Sequence, residues 1–224
     1  MHCFCVCSCT WLIKSLNGRF APILAIMINS SLCTSQFPAS HKHAVVKPIL
    51  KKSSLDPAQL ANCNYRPVSN LSFMSKLFER FVVAEITKYL NDNDLFPPLQ
   101  SAYRPRHSTE TAVIMIFNDA LLAVDQGMIT LVVLLDYSAA FDTVDHQITI
   151  DILENRCGIS TSSLAWCCSY LSDRSFSVPC NTEILAIVNL TCSLPKESIL
   201  GPLLYVTYAS ELQDVAESHD VGFR

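Results

Sequence analysis

Residues 131–144 read Leu-Val-Val-Leu-Leu-Asp-Tyr-Ser-Ala-Ala-Phe-Asp-Thr-Val, and no other stretch restricts the fold of this chain as sharply. Five aliphatic residues run into Asp136, and a turn of small residues then delivers Phe141 and Asp142. A short apolar run rich in Val and Leu, with polar boundaries, predicts a strand buried on both faces. Asp136 then stands at the carboxyl end of that strand, where open α/β sheets place ligands. A carboxylate there needs a positive partner, and Mg²⁺ with a substrate phosphate is a common one. Standing alone, the same aspartate reads first as the cap of a following helix.

Three further segments keep it from standing alone. Asn64-Tyr65-Arg66-Pro67-Val68-Ser69-Asn70-Leu71 and Gln100-Ser101-Ala102-Tyr103-Arg104-Pro105-Arg106-His107-Ser108-Thr109-Glu110-Thr111-Ala112 precede the strand, and Ser198-Ile199-Leu200-Gly201-Pro202-Leu203-Leu204 follows it. In order and spacing the four segments resemble the reverse transcriptases of LINE-type (non-LTR) retrotransposons, and the resemblance runs from about residue 10 to residue 219. It implies an α/β (α+β) fold: polymerase fingers, then a partial palm with a small antiparallel sheet. On this reading residues 1–9 are a non-family extension, 10–126 are fingers-like and 127–224 are partial palm.

The resemblance also assigns roles. Phosphoryl transfer by two metals needs carboxylates that stabilise the attacking and leaving oxygens together. Asp136 matches the first palm aspartate, a Mg²⁺ ligand, and the backbone carbonyl of Tyr137 is implied as a second oxygen ligand. Phe141 matches the aromatic ring beneath the sugar, whose shape excludes a 2′-hydroxyl; by itself an aromatic there is ordinary core. Arg66 matches the fingers arginine that meets the incoming triphosphate, a planar and permanently charged fork suited to phosphate oxygens. Arg104 is implied as template-strand or fold support. Separately from the resemblance, the basic region predicts a modest, largely electrostatic affinity for nucleic acid carried by Lys42, Lys47, Lys51, Lys52, Arg66 and Arg104. The implied partners are an RNA template, a DNA primer and deoxynucleoside triphosphates. Asp142 and Asp145 are not ligands in the family, and Asp142 reads as a helix-entry or structural carboxylate.

Charge fits a nucleic-acid partner by its distribution and not by its sum, which is −4. Residues 41–110 hold ten Lys/Arg against six Asp/Glu, whereas from residue 111 onward four basic residues face fourteen acidic ones. The surplus of cations thus coincides with the fingers-like motifs, although a solvated charged face is the plain reading of either half. Half of the residues are hydrophobic and 16% are charged, which excludes disorder and supports a sizeable core. Eleven cysteines in so apolar a chain read as reduced, mostly buried thiols of an intracellular protein in the cytoplasm or nucleus. The alternating Cys3, Cys5, Cys7 and Cys9 lack a second cluster at zinc-site spacing. The amino-terminal stretch does not have a signal-peptide layout, and no apolar run of spanning length exists, so no membrane segment is expected.

Periodicity predicts helices over 11–32 with a break at Pro22, then 73–90, 108–124, 145–156, 161–171 and 198–215. Strands are expected over 131–135, 176–179 and 184–191, and 43–50 is rich in β-branched residues.

Departures from the family pattern matter too. Where it reads Gly-Val-Pro-Gln-Gly-Ser, this chain reads Ser193-Leu194-Pro195-Lys196-Glu197-Ser198, and Arg106 stands where glycine is usual. Glu197 brings bulk and negative charge toward a polyanion and lacks the torsional freedom of glycine. The Tyr-Ala-Asp-Asp motif expected shortly after His219 is not among these 224 residues. The sequence is therefore read as a truncated, inactive piece of an RNA-directed DNA polymerase. The alternative is a non-catalytic module that binds RNA or an RNA–DNA hybrid.

Overall fold

The computed structural model describes residues 17–52, 64–96, 100–102, 104, 106–135, 137, 139–180, 183–184, 187–219 and 221. Mixed helix and strand surround one core, in the expected α/β class. Helix α1 spans Asn17–Cys33, and a single 3-10 turn, Ala39–His41, leads into β1, His43–Leu50. β2 covers Tyr65–Asn70, and helices α2 (Phe73–Asp92), α3 (Thr109–Asp125), α4 (His146–Asn155) and α5 (Thr161–Leu171) follow. The short strands β3 (Arg174–Ser177), β4 (Pro179–Cys180), β5 (Glu183–Ile184) and β6 (Val188–Leu190) precede α6 (Gly201–Ala209) and α7 (Glu211–Ser218).

Helix starts follow local chemistry. Ser72 accepts from the Ser75 amide at 3.1 Å to open α2, and Ser108 with Thr111 forms a reciprocal capping box on α3. Asp145 Oδ1 accepts from the Gln147 and Ile148 amides at 2.8 and 3.0 Å, so the cap of α4 is Asp145 and not Asp142. Pro22 does not break α1 as its ring predicts; it lies inside the helix. It forfeits one amide donor, a loss the rest of the helix tolerates. The predicted last helix is two, because α6 ends at Ala209 and Ser210 Oγ donates back to the Thr207 carbonyl at 2.6 Å.

The main sheet has the order β2-β1-β3-β6. β1 pairs antiparallel with β2 (Val45 opposite Asn70, Pro48 opposite Pro67) and parallel with β3 (Ala44 opposite Phe176), while β3 pairs antiparallel with β6. The sheet is therefore mixed rather than antiparallel throughout. A parallel pair needs a crossover, and the β1–β3 pair has one through the helices between them. The strand expected over 184–191 is split between β5, which pairs with β4, and β6.

The core is aromatic at its centre. Phe37 meets Trp166 and Tyr170 edge-on at 5.6 and 5.2 Å, while Trp166 and Tyr170 stack at 5.7 Å. The Trp166 indole donates to Ser31 Oγ at 2.9 Å, docking α1 on α5. Burying each such ring contributes about 2–3 kcal/mol, which outweighs the weak propensity of the short strands.

A further expectation is overturned. Residues 131–135 are not a strand buried on both faces; they have no regular structure, and Leu131 and Leu134 are 86% and 87% exposed. An apolar run becomes a strand only when another backbone takes its hydrogen bonds, and none of the four strands of the main sheet lies beside it. The thiols also differ from expectation: among the described residues Cys157 and Cys167 are buried, and Cys33, Cys168 and Cys192 are free and exposed. The alternating cysteines at positions 3–9 lie outside the described residues.

Candidate nucleotide cleft and cationic groove

Segments far apart in sequence build one cleft of about 410 Å³, lined by Pro67 of β2, residues 139–142, residues 195–198 and Pro202. Each wall is fixed locally. The Leu194 amide donates to the Phe141 carbonyl and the Ser193 amide to the Val144 carbonyl, both at 2.8 Å. His146 Nε2 bonds the Ser193 carbonyl oxygen at 2.7 Å. Phe141 is half-buried and stacks on Tyr205 at 5.1 Å with 22° between the rings. Gly201 lets this wall close: a Cβ there would collide with Ser198 Oγ and reach Phe141 Cε1 at 3.6 Å.

The charges of the cleft are few. Lys196 Nζ donates to Asp142 Oδ2 at 2.8 Å, a half-exposed pair worth at most about 1 kcal/mol. Lys196 is thereby engaged with Asp142 rather than facing Glu197, which is exposed and also lines the cleft. The pair also lines a smaller cavity of about 160 Å³ under the sheet, which Lys42 and Arg174 share. Burial holds the Lys42 ammonium below its usual range, with Asp173 acting against that shift and Arg174 reinforcing it.

Of the residues singled out in the sequence, Phe141 is in the cleft. Arg66 lies in β2 opposite Ile49, next to Pro67, and its side chain is outside the described residues. Asp136 is also outside them, and Tyr137 is described and exposed. Lys51 and Lys52 are exposed just past β1, where the Lys51 amide donates to the Asn64 carbonyl at 2.9 Å. They line neither the cleft nor the groove described next. Among the described residues no three His, Cys, Asp or Glu side chains converge where a cation could sit, so these residues do not by themselves form a Mg²⁺ site.

Arg104 belongs to a second feature, an open groove along α2 lined by Arg80, Val83, Ala84, Thr87, Lys88, Asn91, Arg104 and Ile199. Its guanidinium also lies over the Phe96 ring at 5.8 Å. Three cations and no carboxylate line this groove. Arg80 and Lys88 were not singled out in the sequence. Their spacing of eight residues on one helix puts both on a similar face, a signal visible only once α2 is known to border Arg104.

Comparison with known proteins follows the same outline. The family described as "Reverse transcriptase (RNA-dependent DNA polymerase)" matches residues 49–220. The chain is 30% identical over 92% of its length to the probable RNA-directed DNA polymerase from transposon BS of Drosophila melanogaster. It is 28% identical over 92% to the probable RNA-directed DNA polymerase from transposon X-element of the same species, and 27% identical over 89% to the RNA-directed DNA polymerase from mobile element jockey. The chain spans about a fifth of the length of these curated relatives, 22%, 22% and 21% respectively.

Proposed function

Because the chain belongs to the reverse transcriptase (RNA-dependent DNA polymerase) family, of the non-LTR retrotransposon kind, we propose that it supplies the fingers and first palm part of an RNA-directed DNA polymerase. Residues 10–126 form the fingers-like region on this reading and 127–224 the palm-like one. The observation that carries it is the cleft: parts of three of the four collinear motif segments, separated by up to 135 positions, line a single cavity. Its substrates are an RNA template, a DNA primer and deoxynucleoside triphosphates, and its place of action is the cytoplasm or nucleus.

The side chains divide the work by chemistry. Phe141, held flat by Tyr205, offers an apolar ring to the sugar and selects by shape against a 2′-hydroxyl. Arg66 meets the triphosphate as a bidentate donor. Arg80, Lys88 and Arg104 track nucleic-acid phosphates along α2, with Lys51 and Lys52 adding looser contacts. A divalent metal, when bound, would stabilise the attacking and leaving oxygens, with Asp136 and the Tyr137 carbonyl as its ligands here. Further carboxylates are needed to complete that site, since the described residues hold no convergent set.

A primer-extension assay with a photoreactive deoxynucleotide tests this reading. The nucleotide should label residues 139–142 or 195–198 when an RNA template and DNA primer are present, and Phe141→Val should raise labelling by the ribonucleotide analogue. The 224 residues alone should not extend the primer. Labelling confined to other segments would overturn the assignment of the cleft, and extension that disappears in Asp136→Ala would show a complete metal site.

A further inference from the structure

Glu79 is 0% exposed, the most thoroughly buried carboxylate described, and it is not a member of either ion pair present among the described residues. Its charge is met by donors instead. Oε2 accepts from the Ile199 amide at 2.6 Å and the Leu200 amide at 3.4 Å, and Oε1 accepts from Ser75 Oγ at 2.8 Å. The fully buried Tyr170 hydroxyl lies beside Glu79 and Ser198, and burial pushes its pKa up.

The amides held by Glu79 follow directly on the 195–198 wall of the cleft. Ser198 Oγ accepts from the Gly201 amide at 2.8 Å, so the turn is pinned from both sides: by Glu79 of α2 and by the start of α6. An uncompensated buried carboxylate costs several kcal/mol, and a neutral cap would satisfy two amides at less expense. What a carboxylate adds is charge-assisted hydrogen bonds, shorter and stiffer than neutral ones. The turn it stiffens also needs restraint, because Ser193 and Glu197 both hold a positive φ, +87° and +61°, which relaxes if the turn is released.

We propose that Glu79 is a positioning residue: from α2 it anchors the 193–200 turn and so sets the distance between that wall and Phe141 in the nucleotide cleft. The proposal rests on the polymerase reading of that cleft. It predicts a role in nucleotide binding for a side chain that touches no nucleotide. Tight hybrid binding along the α2 groove should not depend on it, because Arg80 and Lys88 project from the helix itself and Arg104 is placed over the Phe96 ring, not by Glu79.

Two readouts on the full 224-residue chain test it: amide hydrogen exchange, which needs no ligand, and the affinity of dTTP for the chain with an RNA–DNA primer–template. Glu79→Ala should speed exchange at Ile199 and Leu200 by about tenfold or more and weaken dTTP binding by about tenfold, with primer–template affinity unchanged. Glu79→Gln keeps one carbonyl oxygen for the two amides and should return both to within about threefold of wild type. Exchange that rises equally across α4 and α5 in both variants would make Glu79 a general stabiliser and overturn the proposal. So would unchanged exchange at Ile199, or faster exchange there with dTTP affinity intact. A wild-type chain that binds neither ligand would count against the polymerase reading itself, and the anchoring would then be decided by exchange alone.

Discussion

Glu197, Ser193 and Arg106 hold φ of +61°, +87° and +64°, and they occupy the three positions where the resembled pattern reads glycine. The left-handed region costs a residue with a Cβ about 1–2 kcal/mol, so the backbone keeps a shape suited to glycine although the side chains have changed. Glu197→Gly should therefore stabilise the chain by about 0.5 kcal/mol, the relieved strain exceeding the extra entropy of an unfolded glycine. A urea midpoint that falls would show that the side chain of Glu197 contributes more than its backbone costs. The same change removes a carboxylate from a cleft whose other described charges, Asp142 and Lys196, cancel, so deoxynucleotide affinity should rise with it. Cys167 gives a separate pH signature. Burial pushes its thiol up from 9.0 to about 12, with Cys168 adding to the shift, so the folded state favours the neutral thiol. That stability is complete below pH 9 and is lost as pH rises from 9 toward 12, by up to about 4 kcal/mol. Urea titrations across that range should show the loss, and Cys167→Ala should flatten it; an equally steep loss in the variant would assign it to Tyr170 instead.

At the scale of elements, capping and periodicity act locally, and α3 to α5 accordingly begin within a residue of their predicted starts. Strands depend on partners, and there the local reading failed. Residues 131–135 carry a strong β pattern yet are exposed, and α3 next to them presents Val113, Ile114, Phe117, Leu121 and Leu122 to solvent without a single buried residue. An apolar surface of this extent favours self-association. Leu134→Lys should reduce aggregation, read as light scattering or sedimentation at raised concentration, without lowering the melting temperature, because the native core gains nothing from Leu134. A drop in melting temperature of several degrees would mean that this segment packs in solution.

For the whole molecule, the cation surplus lies in residues 41–110 and the acidic surplus from residue 111 onward, so any affinity for nucleic acid should be electrostatic and directional. Replacing Arg80, Lys88 and Arg104 together by Gln should weaken binding to an RNA–DNA hybrid at every sequence. The slope of log K on log salt should fall by about one for each phosphate no longer neutralised. A slope unchanged in this variant, yet reduced in one lacking Lys51 and Lys52, would move the binding face to the end of β1. By itself the sequence determined the family, the α/β class and the extents of most helices, because motif order, capping and helical period are carried by residues near one another in the chain. Only the tertiary structure decided which side chains meet: Glu79 with the Ile199 amide, Lys196 with Asp142, and Arg104 with Arg80 and Lys88 along one groove. Those meetings span 16 to 120 positions, and they follow from strand order and helix docking, which are set by burial summed over the whole core and by no local pattern.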